Sequence, residues 1–379
     1  MGEDSGDGAA ARTPPLCLFL CGDVMLGRGI DQILPHPGDP LLHELYVSSA
    51  ITYVQLAEQV NGPIPAPVDF GYVWGDALDE LRRAAPQARI INLETSVTNS
   101  RDYMPKGINY KMNPENVACV TAAEVDCCVL ANNHVLDFGA TGLCETLEVL
   151  QQAGIRSAGA GRNATEAQDP VVIETTNAGR VLVFAFGCGS SGIPTDWAAG
   201  RDRPGVNLLR DLSTRTVAAI AEFSRAARRE GDILVASIHW GENWSYEIGQ
   251  HQVRFAHGLI NVAGFSVVHG HSSHHPKAIE VYRDRPIFYG CGDFINDYEG
   301  IGGYAEFRGD LALMYFPRLD AASGKLVDLK LVPLKIARFQ LHRAPRMDAL
   351  WLSAILDRES AKFGAHVSLN GDNSLAVRW

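Results

Sequence analysis

The stretch CCVLANNHVLDFG, residues 127–139, passes from five apolar residues directly into Asn132-Asn133-His134. A short apolar run bounded by Asn reads as a buried strand, with the polar residues placed where the strand ends. The same pattern recurs on either side of it. LCLFLC (16–21) leads into Gly22-Asp23, ARIINL (88–93) into Glu94, ILVASI (233–238) into His239, and FSVVH (265–269) into Gly270-His271. VLVFAF (181–186) and PIFYG (286–290) are further runs of this kind. Strands that are apolar throughout, rather than alternating, are buried on both faces.

Helix patterns lie between them. Asn113-Pro114 is an N-cap with proline at the first helical position, opening a short helix toward Ala123. Residues 141–153 carry Leu143, Leu147 and Leu150 on one face and stop at Gly154. Residues 212–229 and 250–263 also read as helices. Strands alternating with helices predict a layered α/β fold. The Pro/Gly-rich segment 35–73 reads as an irregular insertion over the site, and 292–308 as a mobile, Gly-rich stretch. LALMYF (311–316) and LVDLKLVPL (326–334) read as closing strands and 347–363 as a last helix. Residues 15–379 are expected to form one domain behind a disordered tail, 1–14.

Composition narrows the function. The chain has 379 residues, 46% of them hydrophobic and 20% charged, as in an ordinary globular protein. A net charge of −11 and the absence of a basic run argue against a nucleic-acid partner. The eight cysteines fall mostly within apolar runs, where Cys is a small buried hydrophobe, and a chain this long needs no disulfide framework. The apolar run at Leu16 is too short for a signal core or a membrane span. These features together predict a cytoplasmic protein without a membrane anchor.

The chemistry-bearing residues Asp23, Glu94, Asn133, His239, His271 and His274 each follow closely on a predicted strand. In open α/β sheets the ligand crevice lies beyond the carboxyl ends of the strands, so these side chains should converge. Oxygen and imidazole donors together suit Zn, Mn or Fe. Taken singly, each has an ordinary reading: a turn-forming Asp, a solvated Glu, a core histidine. The cluster GHSSHH (270–275) is harder to assign to structure alone, with three histidines in five residues after a strand. Cys291 follows a buried strand and reads as inert.

The series GDVMLGR, INLETSVT, NPENV, VLANNHVLDFG, ASIHWG, HGHSSHHPKAIEVY and PIFYGCGDFIND resembles the CapA-type poly-γ-glutamate capsule synthesis proteins, in order from about Leu16 to Asp297. The resemblance implies a four-layer, metallophosphoesterase-like β-sandwich flanked by helices. It makes Asp23 a first-strand ligand, Glu94 a bridging carboxylate and Asn133 an amide ligand, with His239, His271 and His274 completing the coordination of two divalent ions (Mn or Zn, with Fe a third candidate). His134 takes the place of a general acid and Asp137 of the residue that orients it. Metallophosphoesterases carry histidine two residues after the first Asp; here that position is Met25, which leaves one ion a nitrogen short.

Three functions follow from these expectations. The first is hydrolysis, by metal-activated water, of an amide or isopeptide in a small molecule or γ-linked peptide of γ-glutamyl type. The second is phosphoester hydrolysis, and the third a non-catalytic accessory role in capsule synthesis. Ser96, Lys106, Tyr110 and Lys111 are candidates for binding a substrate carboxylate, with solvation the commoner fate of a lysine. Trp240, Trp244 and Tyr246, in HWGENWSYE, are candidates for the pocket wall, or else for the core. Self-association is left open.

Overall fold

The computed structural model describes residues 14–175 and 179–379, so the expected tail lies outside the described residues apart from Pro14. Two large sheets face each other. In the first, ten-stranded sheet, Leu16–Val24 lies between the parallel strand Ala88–Leu93 and the antiparallel Leu311–Leu319; Cys127–Val129 and Arg156–Ala158 extend the parallel side. The second, seven-stranded sheet is built on parallel Arg180–Cys188, Ile233–His239, Val267–His271 and Arg285–Phe288.

The unbroken apolar runs are explained by cores on both faces of each sheet. Leu16, Leu18 and Leu20 point into the core between the sheets, where they meet Val181, Val183, Val235 and Val267. Cys17, Phe19 and Cys21 point outward, toward Leu143, Leu147 and Leu150 of the helix Gly139–Gln152. On the far side, Leu182, Phe184 and Phe186 pack under Val217 and Ile220 of Thr214–Ala227 and Phe255 of Gln250–Gly258. Helix, sheet, sheet, helix is thus the order of the layers. All eight cysteines are free, and seven are buried. Cys291 is among these, its thiol pushed well up by burial.

Two segments are more ordered than the sequence suggests. Within 35–73 the helix Ile51–Asn61 buries Tyr53 and Ala57, because apolar residues at helical spacing outweigh the flanking prolines. Within 292–308, Asp293–Ile295 is a buried strand parallel to Leu16–Val24, with Asp23 level with Asp293. The prediction of mobility there followed the glycines and overlooked this pairing. No described helix is long and apolar enough to cross a membrane.

Gly22 makes that pairing possible. A Cβ on Gly22 would stand 1.6 Å from the Gly292 carbonyl oxygen, which accepts the Asp23 N–H at 3.0 Å. Gly22→Ala should therefore force the two strands apart at about 1–3 kcal/mol, the usual cost of overpacking. A thermal melt should show a midpoint several degrees lower; an unchanged midpoint would mean that the approach is not tightly fixed.

Candidate metal centre

The parallel strands end together, and their last residues meet in the seam between the sheets. Asp23 sits one residue from the end of its strand, Glu94 directly follows Ala88–Leu93, and His239 and His271 are paired final residues of their strands. Asn132 organises the loop after Cys127–Val129: its amide N–H groups donate to Asn92 Oδ1 and the Leu93 carbonyl, and its oxygen accepts from the backbone of His134 and Val135. That leaves Asn133 to present its own oxygen 3.0 Å from His239 Nε2.

Two groups of donors share one carboxylate: Asp23 with His239 and His271, and Asp23 with His274 and Asp293. All five residues are buried. The resemblance gives the bridging place to Glu94; in the structure Asp23 is common to both groups, and Glu94 Oε1 stands 3.6 Å from His134 Nε2 and 4.0 Å from His239 Nε2. Asp293 was not anticipated. It faces Asp23 across the parallel pair and bonds His274 Nδ1 at 2.8 Å, so it supplies a donor where Met25 supplies none. Met25 itself is buried, its sulfur 3.6 Å from the Tyr298 hydroxyl. The signal for Asp293 was the repetition of Gly-Asp after an apolar strand, at 22–23 and again at 292–293.

The hydrogen bonds test whether these groups fit a cation. His269 Nε2 donates to the Cys21 carbonyl, so its Nδ1 accepts from Ser237, whose oxygen then accepts from His271 Nε2. His271 Nδ1 is left with a lone pair, 2.8 Å from His239 Nδ1. His239 thus faces a lone pair through Nδ1 and the Asn133 oxygen through Nε2. Burial pushes its pKa well down, and a neutral imidazole carries only one proton. One of its two contacts is therefore lone pair against lone pair, an arrangement that a cation relieves.

The charge balance agrees. Burial, then Asp293, lifts the Asp23 carboxyl to about 7, and burial, then Asp23, lifts Glu94 well above the carboxylate range. Burial works to lower His274, but Asp293 and Asp23 turn its net shift upward. Three buried carboxylates this close are costly unless positive charge is brought among them. The residues present fit divalent ions, and oxygen with imidazole donors suits Mn, Zn or Fe.

His134 lies beside this group. Its Nδ1 is 2.7 Å from Asp137 Oδ2, and Lys106 Nζ is 2.6 Å from the other Asp137 oxygen. Burial, opposed by Asp137, lowers the imidazole to about 4. The Tyr110 ring stands edge-on to it, centroids 4.5 Å apart. A cavity of about 960 Å³ opens above, lined by Arg28, Lys106, Trp244, His274 and Tyr304.

Three expected substrate contacts lie elsewhere. Ser96 is buried and donates to the His134 and Val135 carbonyls, so it fixes the loop. Lys111 turns away, its ammonium 4.7 Å over the Phe138 ring in a separate small cleft with Asp31 and Asp39. Trp240 packs against Tyr289 and Phe255 and donates its indole N–H to the Tyr289 carbonyl, which makes it core. The aromatic at the cavity is Trp244, stacked 4.1 Å from Tyr304.

Elemental analysis after loading with Mn or Zn checks the donor sets. Asp293→Ala should lower the bound metal and leave the Asp23–His239–His271 group able to bind; His271→Ala should do the converse. Asp23→Ala should weaken both groups, and equal metal in all three variants would refute this arrangement.

Comparison with known proteins gives the family. The family described as bacterial capsule synthesis protein PGA_cap matches residues 17–298. A probable polyglutamine synthesis accessory protein of Mycobacterium tuberculosis is 49% identical over 362 residues, 95% of each chain. The capsule biosynthesis protein CapA of Bacillus anthracis is 25% identical over 326 residues, 85% of this chain and 67% of that one. The PGA biosynthesis protein CapA of Bacillus subtilis is 26% identical over 284 residues, 74% and 63%. The chain belongs to the CapA-type bacterial capsule synthesis family and has its metallophosphoesterase-like fold.

Proposed function

We propose that the chain is a metal-dependent hydrolase that cleaves an amide or isopeptide bond in a γ-glutamyl-type substrate. The observation that carries this reading is the orientation of His134. Asp137 holds Nδ1, so Nε2 is turned toward Glu94 at the edge of the donor groups. An imidazole held from behind and aimed at a reaction space is the arrangement of a general acid–base group, and a purely structural metal site has no use for it. Two bound divalent ions would supply Lewis-acid polarisation of the carbonyl and a water of lowered pKa.

The chain's own residues do the rest. His134 Nε2, unprotonated at rest, is placed to take a proton from the attacking water and pass it to the departing amine nitrogen, and Asp137 balances the charge that the ring carries meanwhile. Lys106 in turn holds Asp137 and closes the wall beside His134. Trp244 and Tyr304 offer an apolar face for the methylenes of a glutamyl chain. A phosphoester is the poorer fit, because every cation lining the cavity is matched by carboxylates, so a doubly charged phosphoryl group would bring more negative charge than the walls offset. Arg28 pairs with Asp297 and Glu44, Arg308 with Asp310 and Asp348, and Lys335 with Asp348. The free cysteines support a reducing, cytoplasmic setting as part of the same proposal.

The names of the mycobacterial relatives favour a second reading, an accessory protein that keeps the metal for structure. An assay of amine release from γ-linked glutamate oligomers, with Mn or Zn supplied, separates the two. His134→Ala should lower kcat about 10²–10⁴-fold, the usual worth of a general acid–base group, at unchanged metal content. No release by the wild type, with every oligomer length tried, would favour the accessory reading.

A further inference from the structure

Arg28 is buried beside the cavity and unusually constrained. Its backbone has φ 51°, ψ −120°, a region that residues other than glycine rarely hold and that clusters at functional sites. Its guanidinium lies 3.9 Å over the Tyr53 ring and 4.6 Å from the Tyr110 ring. One edge, Nε and Nη2, is taken by the Asp297 carboxylate, which also accepts the Gly29 N–H. The other edge, at Nη1, meets Glu44 Oε1 at 3.0 Å, and the second Glu44 oxygen accepts from the Tyr53 hydroxyl.

The two carboxylates are not held alike. Asp297 follows the buried strand at 293–295 and is itself buried. Glu44 stands on a short loop tied at its base by Leu41 with Ser49 and by the Leu42 N–H to the Ser48 carbonyl. At the tip, Leu45 is 87% and Tyr46 95% exposed, and both border the cavity. Beyond the base, the loop is held by Glu44, by His43 stacked 3.5 Å from Tyr103 and by Val47, half-buried against the core.

We propose that the Nη1 edge of Arg28, with the Tyr53 hydroxyl, is the subsite for a carboxylate of the substrate, and that Glu44 fills it until substrate displaces it. The occupant is itself a glutamate side chain, so the subsite already shows the shape and charge that it accepts. Exchanging one carboxylate for another leaves the local charge unchanged, and Asp297 keeps Arg28 paired throughout. The Tyr110 ring stands 4.6 Å from the Arg28 guanidinium and 4.5 Å from the His134 ring, which puts the two side chains within the length of a glutamyl unit holding its free carboxylate at one end and its amide at the other. Displaced Glu44 would carry Leu45 and Tyr46 with it at the cavity mouth. This inference names the recognition element of the site proposed above and rests on that reading for the place of the scissile bond.

Binding, measured without turnover, tests it. A γ-linked glutamate trimer is titrated calorimetrically into the metal-loaded protein carrying His134→Ala, with and without Glu44→Ala or Glu44→Gln. If Glu44 fills the subsite nine-tenths of the time or more, its removal should raise the apparent affinity about tenfold or more. The trimer with its carboxylates converted to carboxamides should show no such gain. Tyr53→Phe added to Glu44→Ala should return part of it. Unchanged or weaker binding of the trimer in both Glu44 variants overturns the proposal, as does an equal gain for the carboxamide. A Glu44 gain in a protein that releases no amine would keep the subsite and remove the hydrolase reading; amine release with no gain would remove the subsite alone.

Discussion

Asp23, Glu94 and Asp293 place three buried carboxylates in the seam where the two sheets meet. Desolvation alone would drive such groups to take up protons, and the upward shifts of Asp23 and Glu94 show that strain. What surrounds them is arranged to receive positive charge. Imidazoles of His239 and His271 are kept neutral by burial, and a chain of hydrogen bonds through Ser237 and His269 turns the His271 Nδ1 lone pair inward. The supporting residues are as specific as the donors, since the tautomer of His271 depends on a carbonyl at Cys21 in the opposite sheet.

That constraint reaches back into the fold. Donors must come from both sheets, so the sheets must close at the ends of their parallel strands. Gly22 permits the close approach of the 291–293 turn. Gly270 does the same on the other side, where a Cβ would meet the Phe288 and Tyr289 carbonyl oxygens and the Trp240 indole within 2.7 Å. Ser272 then adopts φ 94° and donates its N–H to Asp23. A strained turn between two histidines is held in place by the carboxylate that both donor groups share.

The outer parts of the site answer to different physics. Around the cavity the charges are paired rather than buried alone, and the walls come from the 41–49 loop, the helix Ile51–Asn61 and the glycine-rich turn at 300–303. The donors sit on strand ends, where backbone hydrogen bonding fixes them. The recognition surface sits on loops, which can move without disturbing the metal groups.

Local pattern by itself determined much of this protein. Apolar runs ending in Asp, Glu, Asn and His gave the strands, the layered α/β class and the donors Asp23, His239, His271 and His274, because burial on both faces leaves a plain signature in the chain. His134 with Asp137 came from the family resemblance rather than from local pattern, and the structure sets the two 2.7 Å apart within one loop. Tertiary structure alone decided the rest. Asp293 joins Asp23 through a pairing between strands some 270 residues apart, which no local pattern encodes. Ser96, Lys111 and Trp240 looked as available as Lys106 until packing turned them into a loop tie, a remote cleft and the core. Which way a side chain faces depends on the layer that covers it, and that layer comes from elsewhere in the chain.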